Sequence, residues 1–388
     1  MSMYDMNDMI EQKKRKKRKK NFCYAIIFVV LASVIVSAFI THEQWLPKLR
    51  GLGKQYTTII NDGKLADGNF PIEINSSINY QVDCMSNCVI VLSDAYIYFY
   101  SEEGGLINRR QHAYTNAVMD ILNNRILIYE NGGNRFSVED RNDIIYEKQL
   151  DESIMFARIS NDGYTAVVTS SVNYECEIKV FDKRGEVIYE RKCVQKVSDI
   201  DFTYNSQGCI ISYIYAKNGS IETSVQEAVF TQNGEKWTSP GLDTLGFNVY
   251  NFNDGAFLLG IDACGYVDKM GQIQSFYRYD GDFEKGSSEN GKSAVIINSD
   301  DRRRYVMALF DGGGKESTII SFETPLIDVT VKDGLAYVMT QNAILAYDFS
   351  GGLRSTASVN DSYTGFVRSG DYIFLKSFSK IDRINYES

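Results

Sequence analysis

Histidine serves general acid–base, nucleophile-activating and zinc chemistry alike, and this chain of 388 residues carries only two. His42 sits at the end of a long apolar run, so a Ser-His-Asp or Cys-His arrangement elsewhere would have to use His112. His112 follows Arg109-Arg110-Gln111 and reads as a structural or surface residue. Histidine-rich zinc chemistry, which takes two or three such ligands, is excluded by count. Carboxylates are plentiful. Asp199/Asp201, Asp280/Asp282/Glu284 and Asp300/Asp301 have the chemistry for cation binding or two-carboxylate glycoside hydrolysis, yet each reads in sequence as a turn or surface group. Asp311-Gly312-Gly313-Gly314-Lys315-Glu316-Ser317 looks like a phosphate loop at first sight. It lacks the leading glycine, follows Lys315 with Glu316, and lies between strand-like runs, so it reads as a hairpin turn.

Cysteine and tyrosine complete the inventory. Of seven cysteines, Cys23 lies in the apolar run. Cys84 and Cys88 flank a tight turn, and Cys176 and Cys193 flank a hairpin centred near Arg184, which makes two candidate disulfides in an oxidising exterior. Cys-x3-Cys without a second pair argues against a metal, and Cys209 and Cys264 read as buried thiols. Tyr96, Tyr98 and Tyr100 alternate with Ile97 and Phe99 and mark one face of a strand, read as core packing before a platform for sugars. No catalytic residue, ligand-binding residue, metal or cofactor is assigned from these residues.

The elements that would position such groups begin at a membrane. Lys13 to Lys20 place eight cations against three carboxylates in residues 1–20, a net of +5, so the rest of the chain carries −14 of the overall −9. Uncharged Phe22–Ile40 follows, about 28 Å as a helix against a hydrocarbon core of about 30 Å. Positive-inside bias puts 1–20 in the cytoplasm, a transmembrane helix over 21–41, and the remainder outside, with Trp45 as an interfacial anchor. A signal peptide cleaved near Ala38 is the competing reading, although this run exceeds the usual apolar length of about 7–15 residues. Residues 42–69, rich in glycine and turns, read as an extracytoplasmic stalk.

From residue 70 onwards a repeat is visible. Short apolar runs each follow a turn pair: Ser86-Asn87, Asn123-Asn124, Asp162-Gly163, Gln207-Gly208, Asp254-Gly255, Asn290-Gly291, Asp333-Gly334 and Ser369-Gly370. The spacings between pairs are 37, 39, 45, 47, 36, 43 and 36 residues, and a second turn divides most units. A period near 40 with four short strands is the size of a propeller blade. With 13% aromatics, 30 Gly and 4 Pro, the composition agrees with strands and tight turns. The expected fold over 70–388 is therefore an all-β, eight-bladed β-propeller. Seven blades remain the alternative, because the unit around 280–310 is irregular, and a pair of β-sandwiches is the plainer one. The last unit contains only three strands, and Pro71-Ile72-Glu73-Ile74 is expected to supply its fourth and close the ring.

The chain also resembles a clostridial-type family of membrane-anchored, propeller-like proteins known only as a domain of unknown function. The likeness rests on Phe70-Pro71-Ile72-Glu73-Ile74, on Gln111-His112-Ala113-Tyr114, and above all on residues 125–148, which begin Arg125-Ile126-Leu127-Ile128-Tyr129 and end Tyr146-Glu147-Lys148. The resemblance implies a bacterial envelope protein of the same topology and supplies no catalytic residue. The expected function is an extracytoplasmic interaction module of the cell envelope that meets a protein, peptide or wall component. So acidic a domain should repel nucleic acid, and the bilayer itself is met through one helix. A quinoprotein-like or glycan-active propeller with its site in the axial channel is the enzyme alternative.

Overall fold

The computed structural model describes residues 59–61, 68–74, 80–232, 234–299, 303–312, 317–360 and 362–386. The expected basic tail and membrane helix lie outside the described residues, as do Asp300 and Asp301. Among the described residues, no helix is long and apolar enough to cross a membrane.

Each turn pair read from the sequence joins the first two strands of an antiparallel sheet. Ser86-Asn87 links Gln81–Met85 to Cys88–Leu92, and Asn290-Gly291 links Asp282–Glu289 to Lys292–Ser299. Asn290 and Gly291 have φ of 51° and 81°, the left-handed pair that a two-residue hairpin with the right twist demands. There are eight such sheets. The irregular unit is a complete blade of Asp282–Glu289, Lys292–Ser299, Arg304–Asp311 and Ser317–Phe322, so the blades number eight and not seven. Its last two strands pair Phe310 with Ser317, the hairpin expected around the glycine run. Numbered in chain order, blade 1 begins at Gln81 and blade 8 at Gly365.

Burial follows from the stacking of blades. The second strands are buried along their middles, Cys88–Leu92 and Thr165–Thr169 at every residue, because neighbouring blades cover both faces and reward an unbroken apolar run. Outer strands such as Leu106–Gln111 and Ile144–Gln149 alternate between exposed and half-buried. The hydrophobic core is accordingly divided into eight clusters, one at each junction between consecutive blades. Tyr98 and Tyr100 belong to the junction between blades 8 and 1, where they pack beside Phe374 and Ile381, so the tyrosine stripe is core packing.

Ring closure takes the expected form. Ile72–Glu73 pairs antiparallel with Lys380–Asn385, matching Ile72 to Ile381, and completes blade 8 with a strand from the other end of the propeller. One strand is not predicted by the sequence pattern. Inside the segment expected as a stalk, Ile59–Asn61 pairs parallel with Leu353–Ser358 and adds a fifth strand to blade 7.

Candidate functional site: the axial channel and the hairpin face

The first strand of every blade has no strand on its axial side, so its N–H groups face the channel and need acceptors. Side chains of the preceding blade provide them. Gln81 Oε1 accepts from Met119 N at 3.1 Å, Asp120 Oδ2 from Ile159 N at 2.9 Å, and Ser287 Oγ from Val331 N at 2.9 Å. Asp199 Oδ2 accepts from Val249 N and Asn248 Nδ2, both at 3.0 Å, and Asp201 Oδ2 from Asn251 N at 2.7 Å. Asp328 Oδ2 accepts from Phe366 N at 3.0 Å, a close approach permitted because a Cβ at Gly365 would lie 2.7 Å from that oxygen. Charged and polar residues thus stitch the inner edges of successive blades together.

Two of these carboxyl groups, and Glu289 beside them, are neutralised by cations. Arg158 places Nε and Nη2 each 2.9 Å from Asp199 Oδ1. Lys285 pairs with Asp328, and Lys332 Nζ lies 2.6 Å from Glu289 Oε1. Asp83, Asp120 and Asp201 have no cation at ion-pair distance among the described residues. Burial pushes Asp83 up to about 6 and Asp201 up to about 7, and it raises Asp120 as well; in Asp201 this outweighs the hydrogen bond from Asn251 N. At the far end of the channel, burial and the neighbouring Lys285 lower Lys376.

The channel is open space. A cavity of about 950 Å³ runs along the axis from Thr364, Lys285 and Lys376 to Ser86, Asn123 and Asn124. Because strands alternate in direction, the turns between first and second strands share one face with the turns between third and fourth strands; this is the hairpin face. A second cavity of about 460 Å³ opens there, lined by Asp83, Asp201, Glu289, Asn123, Asn251 and Tyr204 among others. A third, of about 650 Å³, lies between blades 4 and 5. The last two share Thr203, Tyr204, Asn251 and Phe252, so a groove leads from the axis outwards to Trp237. Glu227 holds that outer end together: its Oε2 accepts from Trp237 Nε1 at 2.6 Å and its Oε1 from Lys236 Nζ at 2.9 Å.

The structure redistributes the residues singled out by sequence. Asp199 and Asp201 are neither turn nor surface groups; they lie on a first strand at the axis, Asp199 only 2% exposed. Asp280 does sit at the surface, 2.5 Å from Arg304 Nη1. His112 lies in the connection from blade 1 to blade 2, with Nε2 3.0 Å from Ser93 O and its ring stacked on Tyr114. The six described cysteines are free thiols. Cys84 and Cys88 cannot bridge, because antiparallel register sets Cys84 opposite Val89 and Cys88 opposite Met85, on opposite faces of the sheet. Cys84 reaches the channel, while Cys88 packs towards blade 2. Cys176 and Cys193 are direct cross-strand partners on one face, the geometry that a bridge requires. Among the described residues no group of three His, Cys, Asp or Glu side chains could hold a metal ion.

Arg158, Asp120, Asp83 and Tyr204 escaped sequence reasoning. A signal was present: Asp83, Asp120, Asn251, Ser287 and Thr330 each stand four residues before the second residue of a turn pair. A polar residue at a fixed offset inside an otherwise apolar repeat marks the axial edge.

Comparison with known proteins agrees with this architecture. Ika8, a computationally designed protein, matches with a TM-score of 0.62 at 10% identity, covering 84% of this chain and 99% of that one. BamB from Moraxella catarrhalis matches at 0.57 with 13% identity, covering 84% and 98%. The dihydro-heme d1 dehydrogenase NirN, solved in complex with DHE, matches at 0.54 with 11% identity, covering 74% and 67%. At these identities the likeness shows the fold alone. Among curated protein sequences none matches the chain. One family, described as a family of unknown function (DUF5711), matches residues 69–385.

Proposed function

The chain belongs to the DUF5711 family of unknown function, and from that premise we propose that it is a membrane-anchored binding module of the cell envelope. Residues 21–41 tether it, residues 1–20 remain in the cytoplasm, and the propeller meets its partner outside. The carrying observation is the hairpin face, where the axial cavity, lined mainly by polar groups, runs into the groove between blades 4 and 5, whose lining mixes polar and apolar residues. Concave sites of about 300–1,000 Å³ with a few convergent polar groups are the usual form of a binding site. The partner is an envelope protein, a peptide or a wall component; an acidic propeller has no attraction for nucleic acid.

The test is site-specific photocrosslinking of the full chain in its own cells. A photoreactive residue at Asn124, on the hairpin face, should capture a partner. One at Phe378, exposed on the opposite face, should capture none. The reverse pattern overturns the proposal. One observation favours an enzyme instead: Asp83 and Asp201, both held towards the protonated form, line a single cavity as an acid pair would. On that reading the Asp83→Asn or Asp201→Asn gene fails to complement a deletion strain while its product still captures the partner.

A further inference from the structure

The groove on the hairpin face has a chemistry of its own. Tyr204, in the first turn of blade 4, forms a wall common to its two cavities, and the residue is 45% exposed. Around it stand the side chains of Gln207, Asn251 and Asn253. Among the described residues these amides and the Tyr204 hydroxyl have no protein hydrogen-bond partner, although the backbone N–H of Asn251 is engaged by Asp201. Each amide offers two donors and an acceptor side by side, which matches adjacent hydroxyl groups better than a lone charge. An exposed aromatic face between such amides suits a ring with an apolar face and a polar rim.

Charge and shape narrow the ligand further. At the outer end Lys236 is neutralised by Glu227, whose second oxygen is occupied by Trp237, so that ion pair is closed to an ionic ligand. Lys269 stands at the edge of the same cavity. The apolar residues beneath the groove, Phe252 and Trp237, are buried at 6% and 8% exposure and packed into the blade junctions. With Tyr204 they give the groove an apolar lining on which the apolar face of a sugar ring can rest. The two cavities adjoin through Thr203, Tyr204, Asn251 and Phe252, which suits an elongated ligand.

We propose that the groove from the axial mouth past Tyr204 to Trp237 binds an uncharged oligosaccharide chain, stacked on Tyr204 and hydrogen-bonded by Gln207, Asn251 and Asn253. This deepens the binding-module reading and rests on it. The test is a glycan array of neutral and acidic oligosaccharides probed with the full-length chain in detergent, followed by calorimetric titration of the best neutral tetrasaccharide. Binding should be insensitive to salt. Tyr204→Ala and Asn251→Ala should each weaken it at least tenfold, Tyr204→Phe should retain it, and His112→Ala, remote from the groove, should leave it unchanged. All variants should keep the wild-type melting temperature, since the altered side chains have solvent on one side. No retention of any neutral glycan, salt-sensitive binding of acidic glycans only, or binding indifferent to Tyr204→Ala overturns the inference. If glycans fail while crosslinking at Asn124 still captures a protein, the ligand class is wrong and the binding module stands. If neither arm captures anything, both fall.

Discussion

Asp201 accepts a backbone hydrogen bond deep in the channel, and burial makes its ionised form unfavourable. Its carboxyl is raised from an unfolded value near 4 to about 7, so between those limits the native state holds the proton more tightly. The contribution to stability therefore declines as pH rises from about 4 to about 7. Asp201→Asn keeps an acceptor oxygen and removes this dependence. Relative to wild type, the variant should gain about 2 kcal/mol on going from pH 4.5 to pH 8, after allowance for water in the channel; each shifted unit is about 1.4 kcal/mol. Urea denaturation at the two pH values measures it, and parallel pH profiles for variant and wild type would refute the assignment. Cys176 and Cys193 give a second prediction at this scale. The neighbouring Cys193 thiol lowers the Cys176 thiol from its ordinary value, which favours the thiolate at this pair. Mild oxidant should join these two and leave Cys84 and Cys88 unlinked to one another, as read by peptide mapping without reductant.

The strand ladder explains why the channel is polar at all. Each first strand is an edge, and unpaired edge N–H groups in a buried channel are expensive unless a neighbour accepts from them. Blade 8 is the vulnerable element, since its outer strand is only Ile72–Glu73. Ile72 is 5% exposed and packs with Val89, Phe374 and Ile381 at the last junction. Ile72→Ala should cost about 2–5 kcal/mol. Deleting residues 70–75 should abolish cooperative unfolding, whereas deleting 58–62 removes only the fifth strand of blade 7 and leaves the ring closed. Thermal melts of the two deletions measure the difference, and equal melting temperatures would argue against closure as the controlling contact.

For the whole molecule the open question of direction is set by charge rather than by the propeller. Eight cations immediately before the apolar run predict that the large domain is external. Protease added to intact protoplasts should digest residues 70–388 and spare the tail, and protection of the domain would reverse the topology. Ring architecture has a further consequence. Because the core is divided among eight junctions, the large buried aromatics Phe136, Phe257 and Phe374 each brace one pair of blades.

What local pattern determines was legible in the chain itself. Turn pairs, apolar second strands and the missing fourth strand of the last unit are signals spaced within about 40 residues, the range over which hairpin chemistry acts. Eight blades, the closure by Ile72–Glu73 and the hairpin at the glycine run follow from them. The site was not legible, because proximity at the axis joins residues far apart in sequence. Asp83, Asp201 and Glu289 line one cavity only after the ring is closed. Asp199 and Asp201 look like surface carboxylates until the next blade aims its N–H groups at them. The cysteines divide in the same way. Spacing suggested two bridges, but strand register, a property of the folded sheet, sets Cys176 against Cys193 and turns Cys84 away from Cys88.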